Sequence, residues 1–467
     1  MRLSNIMYPS HSLFHVRIVA AGQRFAGLFL VLLLLIPAGV ASAQSVRTIT
    51  FNEAVRIALE RNVTLKRAQN NLQLQAVNVT SARADFLPNL NLSSSASRNW
   101  GLSFDLTSGS LVQTANDGVS LRANTGVNLF NGFGDVASLN QARIIMESNE
   151  YDFDRTRQAV VFNVIQTYLQ VVLDREQISI LQEDLESQNQ QLARIEEFTN
   201  VGARPISDLY QQQAQQANSE LQLLEAERAS QISETRLIQV LQLDPLATYD
   251  FQAPDAEDFS LVPQSYSPVD LLQSAFEQRA DLRAQEANID AAREGIRIAR
   301  SSLYPSLSLS GSFGTNFTSQ RDDSFASQLG DNRSESVGFS LQVPIFNRLQ
   351  TKTNVERARV QYDNAFLDLQ NLQQTVAVEV RQAYLDYQSA VKRLDVTEKQ
   401  LRASGQALQV EQERYDVGAS TLVELTQARV TFVQASSNRA QAIFQFQFQN
   451  KLIEYYQGVL DHAQPLF

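Results

Sequence analysis

A ten-residue segment, Asn200–Leu209, separates two long helical patterns and has the sequence NVGARPISDL. A second segment, Asp416–Leu425 (DVGASTLVEL), repeats its Val-Gly-Ala core 216 residues later. In both segments a carboxylate follows the glycine by six residues, as Asp208 in the first and Glu424 in the second. Glycine suits a tight turn because it adopts positive φ without steric cost. We therefore predict that each segment is the tip of a helical hairpin and that the chain is duplicated.

The duplication extends over almost the whole sequence. The stretch Ala58–Pro88 aligns without a gap on Ala275–Pro305, at an offset of 217 residues. Each half reads helix, strand, loop, strand, very long helix, tip and long helix. Such a unit is far too long for a solenoid repeat and indicates duplication of a half-molecule. The predicted divisions are a signal peptide over 1–43, a first repeat over 44–245 with its tip at 200–208, a linker over 246–268, a second repeat over 269–457 with its tip at 416–424, and a C-terminal tail over 458–467.

The first 43 residues have the pattern of a secretory signal. Three arginines and no acidic residue precede the apolar run Ala26–Val40, and Ala41-Ser42-Ala43 fits an A-x-A cleavage site. A membrane anchor is the alternative, but the apolar run is shorter than the ~20 residues that a spanning helix needs.

The composition restricts the possible chemistry. The chain has no cysteine, which excludes disulfides, thiolate metal sites and a cysteine nucleophile. Two of its three histidines, His11 and His15, lie in the predicted signal peptide, so we expect neither histidine-based catalysis nor a histidine-rich metal site. The formal net charge of -11 argues against a nucleic-acid partner.

Each half contains two alternating segments, which we predict to be strand hairpins over 89–130 and 306–346. One face of each strand is apolar and the other carries mainly serine, asparagine or glutamine. We expect strands of about ten residues, joined by polar loops over Gly101–Gly118 and Ser319–Ser336. This pattern is typical of transmembrane strands, although a soluble sandwich alternates equally well. About four strands are too few to close a barrel or build a sizeable sandwich, so several chains would share one membrane barrel.

The helical patterns are unusually long. The segment Asp135–Phe198 contains neither proline nor glycine, and as one helix it would extend ~100 Å. Such a helix requires partners, because helical stability comes mostly from packing of the apolar face. The helices are rich in glutamine, asparagine and serine, which suits either a solvated coiled-coil rod or a tube with a polar lining. Part of the segment carries a heptad seam, interrupted by Gln188, that comprises Ile178, Leu181, Leu185, Leu192 and Ile195.

Two further classes of function are considered beside a membrane duct. A trimeric coiled-coil structural or adhesive cell-envelope protein would account for the helices, but a rod needs no membrane strands. An enzyme could use paired carboxylates such as Glu196/Glu197 or Asp322/Asp323. These pairs have no histidine, cysteine or glycine-rich phosphate loop beside them, so we do not predict an enzyme.

Taken together, the tandem repeat, the A-x-A signal, the strand hairpins that follow a proline and the two V-G-A-x-x-x-x-[DE]-L tips resemble the TolC-like outer-membrane efflux protein family. The resemblance implies a mainly α fold with membrane β, in which a long α-helical barrel joins strands of a trimeric, twelve-stranded outer-membrane β-barrel. It implies a homotrimer in the outer membrane of a Gram-negative bacterium that extends into the periplasm. The implied function is passive export of drugs or proteins, driven by an inner-membrane pump of the RND or ABC type through a periplasmic adaptor. The resemblance implies no cofactor and no catalysis.

The resemblance also implies roles for residues at the tips. Gly202 and Gly418 would form the tip turns at which the adaptor docks. Asp208 and Tyr415 would hold a periplasmic aperture closed through a link between neighbouring hairpins, and Glu424 would belong to a ring of carboxylates at the entrance.

The sequence departs from the best-understood member of the family at two positions in or next to the second tip. Ser420 stands where that member has an arginine, and Gln427 stands where it has a second entrance carboxylate. Arg204 instead places a cation in the first tip, so an arginine-based closure at the second tip and a double acidic ring are both in question. Each tip carboxylate also has a simpler explanation, because an acid in the first turn of a helix interacts favourably with the helix dipole.

Overall fold

The computed structural model describes residues 47–105, 109–252 and 261–460, so the predicted signal peptide lies outside the described residues. No helix in these ranges is long and apolar enough to cross a membrane. The elements within them are β1 Arg47–Ile49, α1 Phe51–Arg61, α2 Val63–Ala84, β2 Asn89–Asp105, β3 Ser110–Asn131, α3 Gly134–Asn200, α4 Ile206–Val240, β4 Tyr249–Phe251, α5 Pro268–Gln278, α6 Ala280–Ser301, β5 Ser306–Thr318, α7 Phe325–Asp331, β6 Ser334–Gln342, α8 Gln350–Asp416 and α9 Leu422–Gln457.

The two very long helices, α3 and α8, carry the duplication most clearly. Each has 67 residues, and each follows a residue in the left-handed region, Phe133 (φ 66°) before α3 and Leu349 (φ 62°) before α8. Similarly, α2 and α6 have 22 residues each. The predicted duplicated half-molecule is therefore confirmed, and its two copies agree in the length of these helices.

The helical pattern before the first strand hairpin does not form one helix. The sequence predicts continuous helix from Thr48 to about Phe86, but the chain forms β1 and then two helices that meet at Asn62. The Asn62 side chain accepts hydrogen bonds from the backbone N–H groups of Thr64 (2.9 Å) and Leu65 (3.2 Å) and so caps α2. The second half breaks at the equivalent position, Arg279, between α5 and α6.

The four longer strands form one antiparallel sheet in the order β2-β3-β5-β6. Strands β2 and β3 have 17 and 22 residues, so they pair through most of the segment predicted as a loop over Gly101–Gly118. The loop prediction for this segment was wrong. Its serine, glycine and asparagine residues are typical of loops, but here they lie on one face of strands that continue through the segment. The predicted loop over Ser319–Ser336 contains α7 and the first residues of β6.

The two faces of the sheet differ in polarity. Large apolar side chains on one face are exposed in the single chain, including Leu92 and Val337 at 80% each and Phe339 at 71%. The opposite face of the four-stranded part carries mainly serine, asparagine and glycine. Both outer strands, β2 and β6, have one unpaired edge. A sheet of this kind is incomplete as a single copy.

The helices pack in two regions, one next to the sheet and one farther from it, and α3 and α8 pass through both. Next to the sheet, α3 packs against α2 and α6, and α6 packs against α8. Farther from the sheet, α3 packs against α4 and α9, and α9 packs against α8. Between the two regions the Tyr168 hydroxyl donates to the carbonyl of Gln252 (2.5 Å), and the Tyr387 hydroxyl donates to the carbonyl of Gln264 (3.0 Å). One tyrosine from each long helix thus fixes the segment that joins the halves.

Candidate functional site

Both predicted tips are tight turns at which a glycine ends a 67-residue helix. Gly202 has a φ of 73° and Gly418 a φ of 76°. In the first turn the N–H of Ala203 bonds to the carbonyl of Phe198 (2.8 Å), and in the second the N–H of Ala419 bonds to that of Arg414 (2.8 Å). This is the Schellman pattern, which satisfies carbonyls at a helix C-terminus and requires a left-handed residue. A Cβ at either glycine would contact nothing within 4 Å, so only backbone strain opposes a side chain there.

The structure brings the two tips together through Arg204 and Tyr415. The guanidinium carbon of Arg204 lies 4.3 Å from the centre of the Tyr415 ring, and its Nη2 donates to the Tyr415 carbonyl at 3.0 Å. Tyr415 is 4% exposed and packs with Ile195, Leu422 and Leu425 in a small apolar cluster. A cation over an aromatic face contributes about 0.5–1 kcal/mol at exposed sites and more when desolvated. The first tip therefore holds the end of α8 within one chain.

Asp208 and Tyr415 do not form a hydrogen bond within the chain. The Tyr415 hydroxyl is buried and makes no hydrogen bond of standard geometry, although the Gln191 side chain lies close enough to lower the Tyr415 pKa. Burial raises the pKa of Tyr415, the Arg204 charge lowers it, and the nearby Asp208 charge raises it. Asp208 itself lies in the first turn of α4, where a carboxylate is favoured by the helix dipole. The link inside one chain is thus Arg204–Tyr415, and the Asp208–Tyr415 link between hairpins stays a prediction.

Glu424 begins α9 as part of a capping box. Its Oε2 accepts hydrogen bonds from the Thr421 backbone N–H (2.9 Å) and from the Ser420 hydroxyl (2.9 Å), while Thr421 Oγ1 accepts from the Glu424 N–H (3.3 Å). These hydrogen bonds, led by that from the Thr421 backbone, lower the pKa of the fully exposed Glu424 carboxyl. Glu424 is therefore a helix-start residue that remains ionised at neutral pH. The Ser420 hydroxyl thus orients this carboxylate.

A buried polar layer lies above the tips, and the sequence indicated it only through the interrupted heptad seam. The Gln212 side-chain amide donates to Gln188 Oε1 at 2.8 Å, and the Ser219 hydroxyl donates to Asp184 Oδ2 at 2.8 Å. Arg429 is 8% exposed, and its guanidinium donates to the Ser187 hydroxyl. Burial lowers the pKa of Arg429 although the Asp184 charge raises it. This layer joins α3 to α4 and α9 by polar contacts instead of apolar ones.

Within the described ranges, no group of three or more histidine and carboxylate side chains is arranged to hold a metal ion. The two carboxylate pairs considered from the sequence, Glu196/Glu197 and Asp322/Asp323, are exposed. Asp323 forms an ion pair with Arg321 at 2.7 Å on the surface near α7.

The comparison with known protein families identifies the class. Residues 54–241 and 271–451 match the outer membrane efflux protein family, and because these segments cover most of the chain, it belongs to that family. The two matched segments fall in the two repeats. The protein is accordingly an efflux channel of the outer membrane.

Individual relatives agree with this assignment. The chain is 23% identical to the outer membrane protein TolC of Vibrio cholerae over 381 residues, which cover 81% of this chain and 83% of the relative. It is 27% identical to the outer membrane protein OprJ of Pseudomonas aeruginosa over 414 residues, covering 83% and 81% of the two chains. Both relatives are outer membrane proteins, and the aligned residues cover most of each relative and most of this chain.

Solved structures share the fold. The CmeC outer membrane channel of Campylobacter jejuni superposes with a TM-score of 0.75 at 21% identity, covering 89% of this chain and 87% of that one. A structure of CusC gives a TM-score of 0.75 at 19% identity and covers 87% and 92%. The fold is therefore that of these channels, with a long helical barrel and a membrane β-barrel.

Proposed function

We propose that three copies of the chain assemble into one continuous exit duct. The observation that carries this proposal is the open four-stranded sheet, which has an exposed apolar face and two unpaired edges. In lipid every strand edge must be paired, so the sheet requires closure with other copies. Three copies supply twelve strands, an even number suited to an antiparallel barrel.

The helices support the same closure. Strand β6 and helix α8 lie at one edge of the chain, and β2, α2 and α4 lie at the other. Pairing β6 with β2 of the next copy places α8 beside α2 and α4 of that copy. The barrel and the helical tube would then close together around one axis.

The absence of native cysteine makes this closure testable by disulfide cross-linking. Asn91→Cys on β2, combined with cysteines placed in turn at Ser336, Gly338 and Ser340 on β6, should give cross-linked dimers and trimers in outer membranes. The matched control combines Asn91→Cys with Ser308→Cys on the interior strand β5. If no β2–β6 combination gave cross-linked dimers or trimers, the proposed assembly would be contradicted.

We further propose that the duct is the outer component of a tripartite export system. The tips at Gly202 and Gly418 would receive a periplasmic adaptor, and an inner-membrane pump of the RND or ABC type would supply the energy. The cargo would be small molecules such as drugs, or proteins. The exposed tip turns and the lack of any catalytic constellation among the described residues agree with a passive role.

Copurification tests the partner proposal. Trimers purified after mild cross-linking should carry an adaptor, and the amount should fall when Gly202 and Gly418 are both replaced by valine. Normal export and adaptor recovery in that double variant would show that docking occurs elsewhere.

A further inference from the structure

The polar face of the sheet carries a single charge per chain in its four-stranded part. At the level of Arg122 the register places Ser93, Arg122, Gly314 and Ser334 side by side across the four strands. The other positions on this face, within the described strand ranges 89–97, 118–131, 306–318 and 334–342, are neutral and mostly serine, asparagine or glycine. Because the apolar face meets lipid, this face lines the lumen of the proposed barrel.

The neighbours of Arg122 leave its guanidinium accessible. Arg122 is exposed, and the residues opposite it on the adjacent strands are the small Ser93 and Gly314. Its Cγ lies 3.8 Å from the position that a Cβ would occupy on Gly314, so the side chain extends over the glycine. Among the described residues no carboxylate forms an ion pair with it. By contrast, Arg98 on the apolar face is neutralised by Asp117, with Nη2 to Oδ2 at 2.7 Å.

Assembly of three copies would bring three such guanidinium groups to one level of the lumen. Twelve strands spaced ~4.8 Å apart and tilted ~40° enclose a backbone diameter of roughly 24 Å. An extended arginine side chain spans roughly half the radius of such a barrel. The distance from each of the three guanidinium groups to the barrel axis is therefore at most about one Debye length, which is ~8 Å at physiological salt. Their fields overlap in a part of the wall whose described strand ranges, 89–97, 118–131, 306–318 and 334–342, carry no other charge on this face.

We propose that Arg122 forms an anion-recognition ring inside the barrel, which interacts with carboxylate, phosphate or sulfate groups of the exported molecule. This inference rests on the proposed trimeric duct. Arginine suits the role because its planar donors bind oxyanions in a bidentate manner, and rings of basic side chains favour anions in pores. Serine and asparagine around it supply further donors without opposing charge.

The ring differs in sign from the tips. Glu424 and Asp208 place carboxylates at the narrow end of the helical tube, whereas Arg122 lies in the barrel only four residues from Gly118, the last β3 residue paired with β5. A cargo with an anionic group would meet this cation near the outer mouth. Exported molecules that carry oxyanions are therefore the class that this barrel favours.

Block by a multivalent anion tests the ring directly. Purified trimers in planar bilayers at about 0.15 M KCl, where the Debye length is ~8 Å, receive inorganic tripolyphosphate on the barrel side. We expect voltage-dependent block in the unmodified protein and a half-blocking concentration at least tenfold higher in Arg122→Gln. Arg122→Lys should keep most of the block, and 1 M KCl should abolish it. Arg98→Gln removes the same charge from the apolar face and should leave the block unchanged.

Calorimetry gives a second readout that does not depend on current. Tripolyphosphate titrated into the detergent-solubilised trimer should bind once per three chains and should not bind to Arg122→Gln. Three outcomes would contradict the proposed anion-recognition ring. Block or binding could persist in Arg122→Gln, it could be lost equally in Arg98→Gln, or each trimer could bind three anions independently. A protein that is not trimeric would contradict the proposed duct instead.

Discussion

At the scale of single residues, the cation that faces Tyr415 comes from the other hairpin. The second tip has Ser420 at the position where the resemblance suggested an arginine, and the structure shows Arg204 of the first tip over the Tyr415 ring. The contact therefore joins the tips of α3 and α8 within one chain. Ser420 instead holds the Glu424 carboxylate.

Removing the Arg204 guanidinium should loosen the contact between the two tips. We expect Arg204→Gln to raise single-channel conductance in planar bilayers, because it removes a cation–π contact and a hydrogen bond together worth about 1–3 kcal/mol. Tyr415→Phe is the comparison variant, because it keeps the ring beneath Arg204 and removes only the buried hydroxyl that the predicted Asp208 link would use. Equal opening by Tyr415→Phe would place the constraint on that hydroxyl, as the Asp208 link between hairpins requires.

Three copies of Glu424 at the entrance of the proposed trimer would attract cations, so removing this charge should weaken the cation preference of the channel without unfolding the tip. Glutamine still completes a capping box, so Glu424→Gln alters charge more than structure. Because hydrogen bonds lower the Glu424 pKa, the carboxylate should stay ionised, and the cation preference should persist, as pH falls towards the ordinary glutamate value of 4.5. Reversal potentials in a KCl gradient between pH 7 and pH 4 measure both effects. Unchanged selectivity in the glutamine variant would leave Glu424 with a helix-start role only.

At the scale of elements, the ends of the 67-residue helices are fixed by backbone conformation. Gly202 and Gly418 end α3 and α8 in the left-handed region, and Phe133 and Leu349 precede the same helices in that region. These positions recur at an offset of 216 residues, so the same junction geometry was retained in both halves.

Valine at a tip glycine should impair export while assembly continues. Gly418→Val forces a β-branched residue to positive φ, at a cost of about 1–3 kcal/mol, and no neighbouring atom obstructs the side chain. Gly418→Asn is the control, since asparagine tolerates the left-handed region. Drug susceptibility and trimer content of the membranes would be compared for both. Equal export by the valine and asparagine variants would exclude a role for the turn geometry.

The junctions between strand and long helix should respond in opposite directions to substitution. Gly132 (φ 66°) and Arg348 (φ 54°) occupy equivalent positions before α3 and α8. A Cβ at Gly132 would lie 2.4 Å from the Ser301 carbonyl oxygen, so Gly132→Ala should destabilise by about 2–4 kcal/mol. Arg348→Gly should stabilise by about 0.5–1 kcal/mol, because relief of the left-handed strain exceeds the entropy cost of glycine. The thermal midpoint of trimer dissociation reports both changes, and a rise for Gly132→Ala would refute the steric argument.

At the scale of the whole molecule, the strand hairpins and the helical tips lie at opposite ends of the long helices α3 and α8. The paired strand ends Asp105 and Ser110, and the turn before α7, lie at the end of the sheet away from the starts of α3 and α8. In an outer-membrane channel that extends into the periplasm, these connections should face outwards.

Epitope tags should reveal this topology. A tag between β2 and β3, or between Asp322 and Asp323, should be labelled on intact cells, whereas a tag after Ala203 should require permeabilisation. A tag after Gly101 serves as a structural control, because it would interrupt β2 and should lower the trimer yield. Labelling of the outer sites only after the membrane is broken would reverse the orientation.

Local patterns in the sequence determined the order of elements, the duplication and the tip turns. These features depend on short-range physics: the 3.6-residue period of helices, the two-residue period of strands, and the positive φ that glycine supplies at Gly202 and Gly418. Where the local signal was ambiguous, prediction failed. The serine- and glycine-rich residues from Gly101 to Gly118 suggest a loop, yet cross-strand pairing holds most of them in β2 and β3.

Only the tertiary structure decided which distant side chains meet. Arg204 and Tyr415 are separated by 211 positions, and Ser93, Arg122 and Gly314 become neighbours only through the strand register. No local period encodes such contacts, because they arise from the packing of elements that are far apart in the sequence. The sequence therefore specified the parts and their order, whereas the contact between the tips and the isolated cation on the polar face followed from how those parts pack.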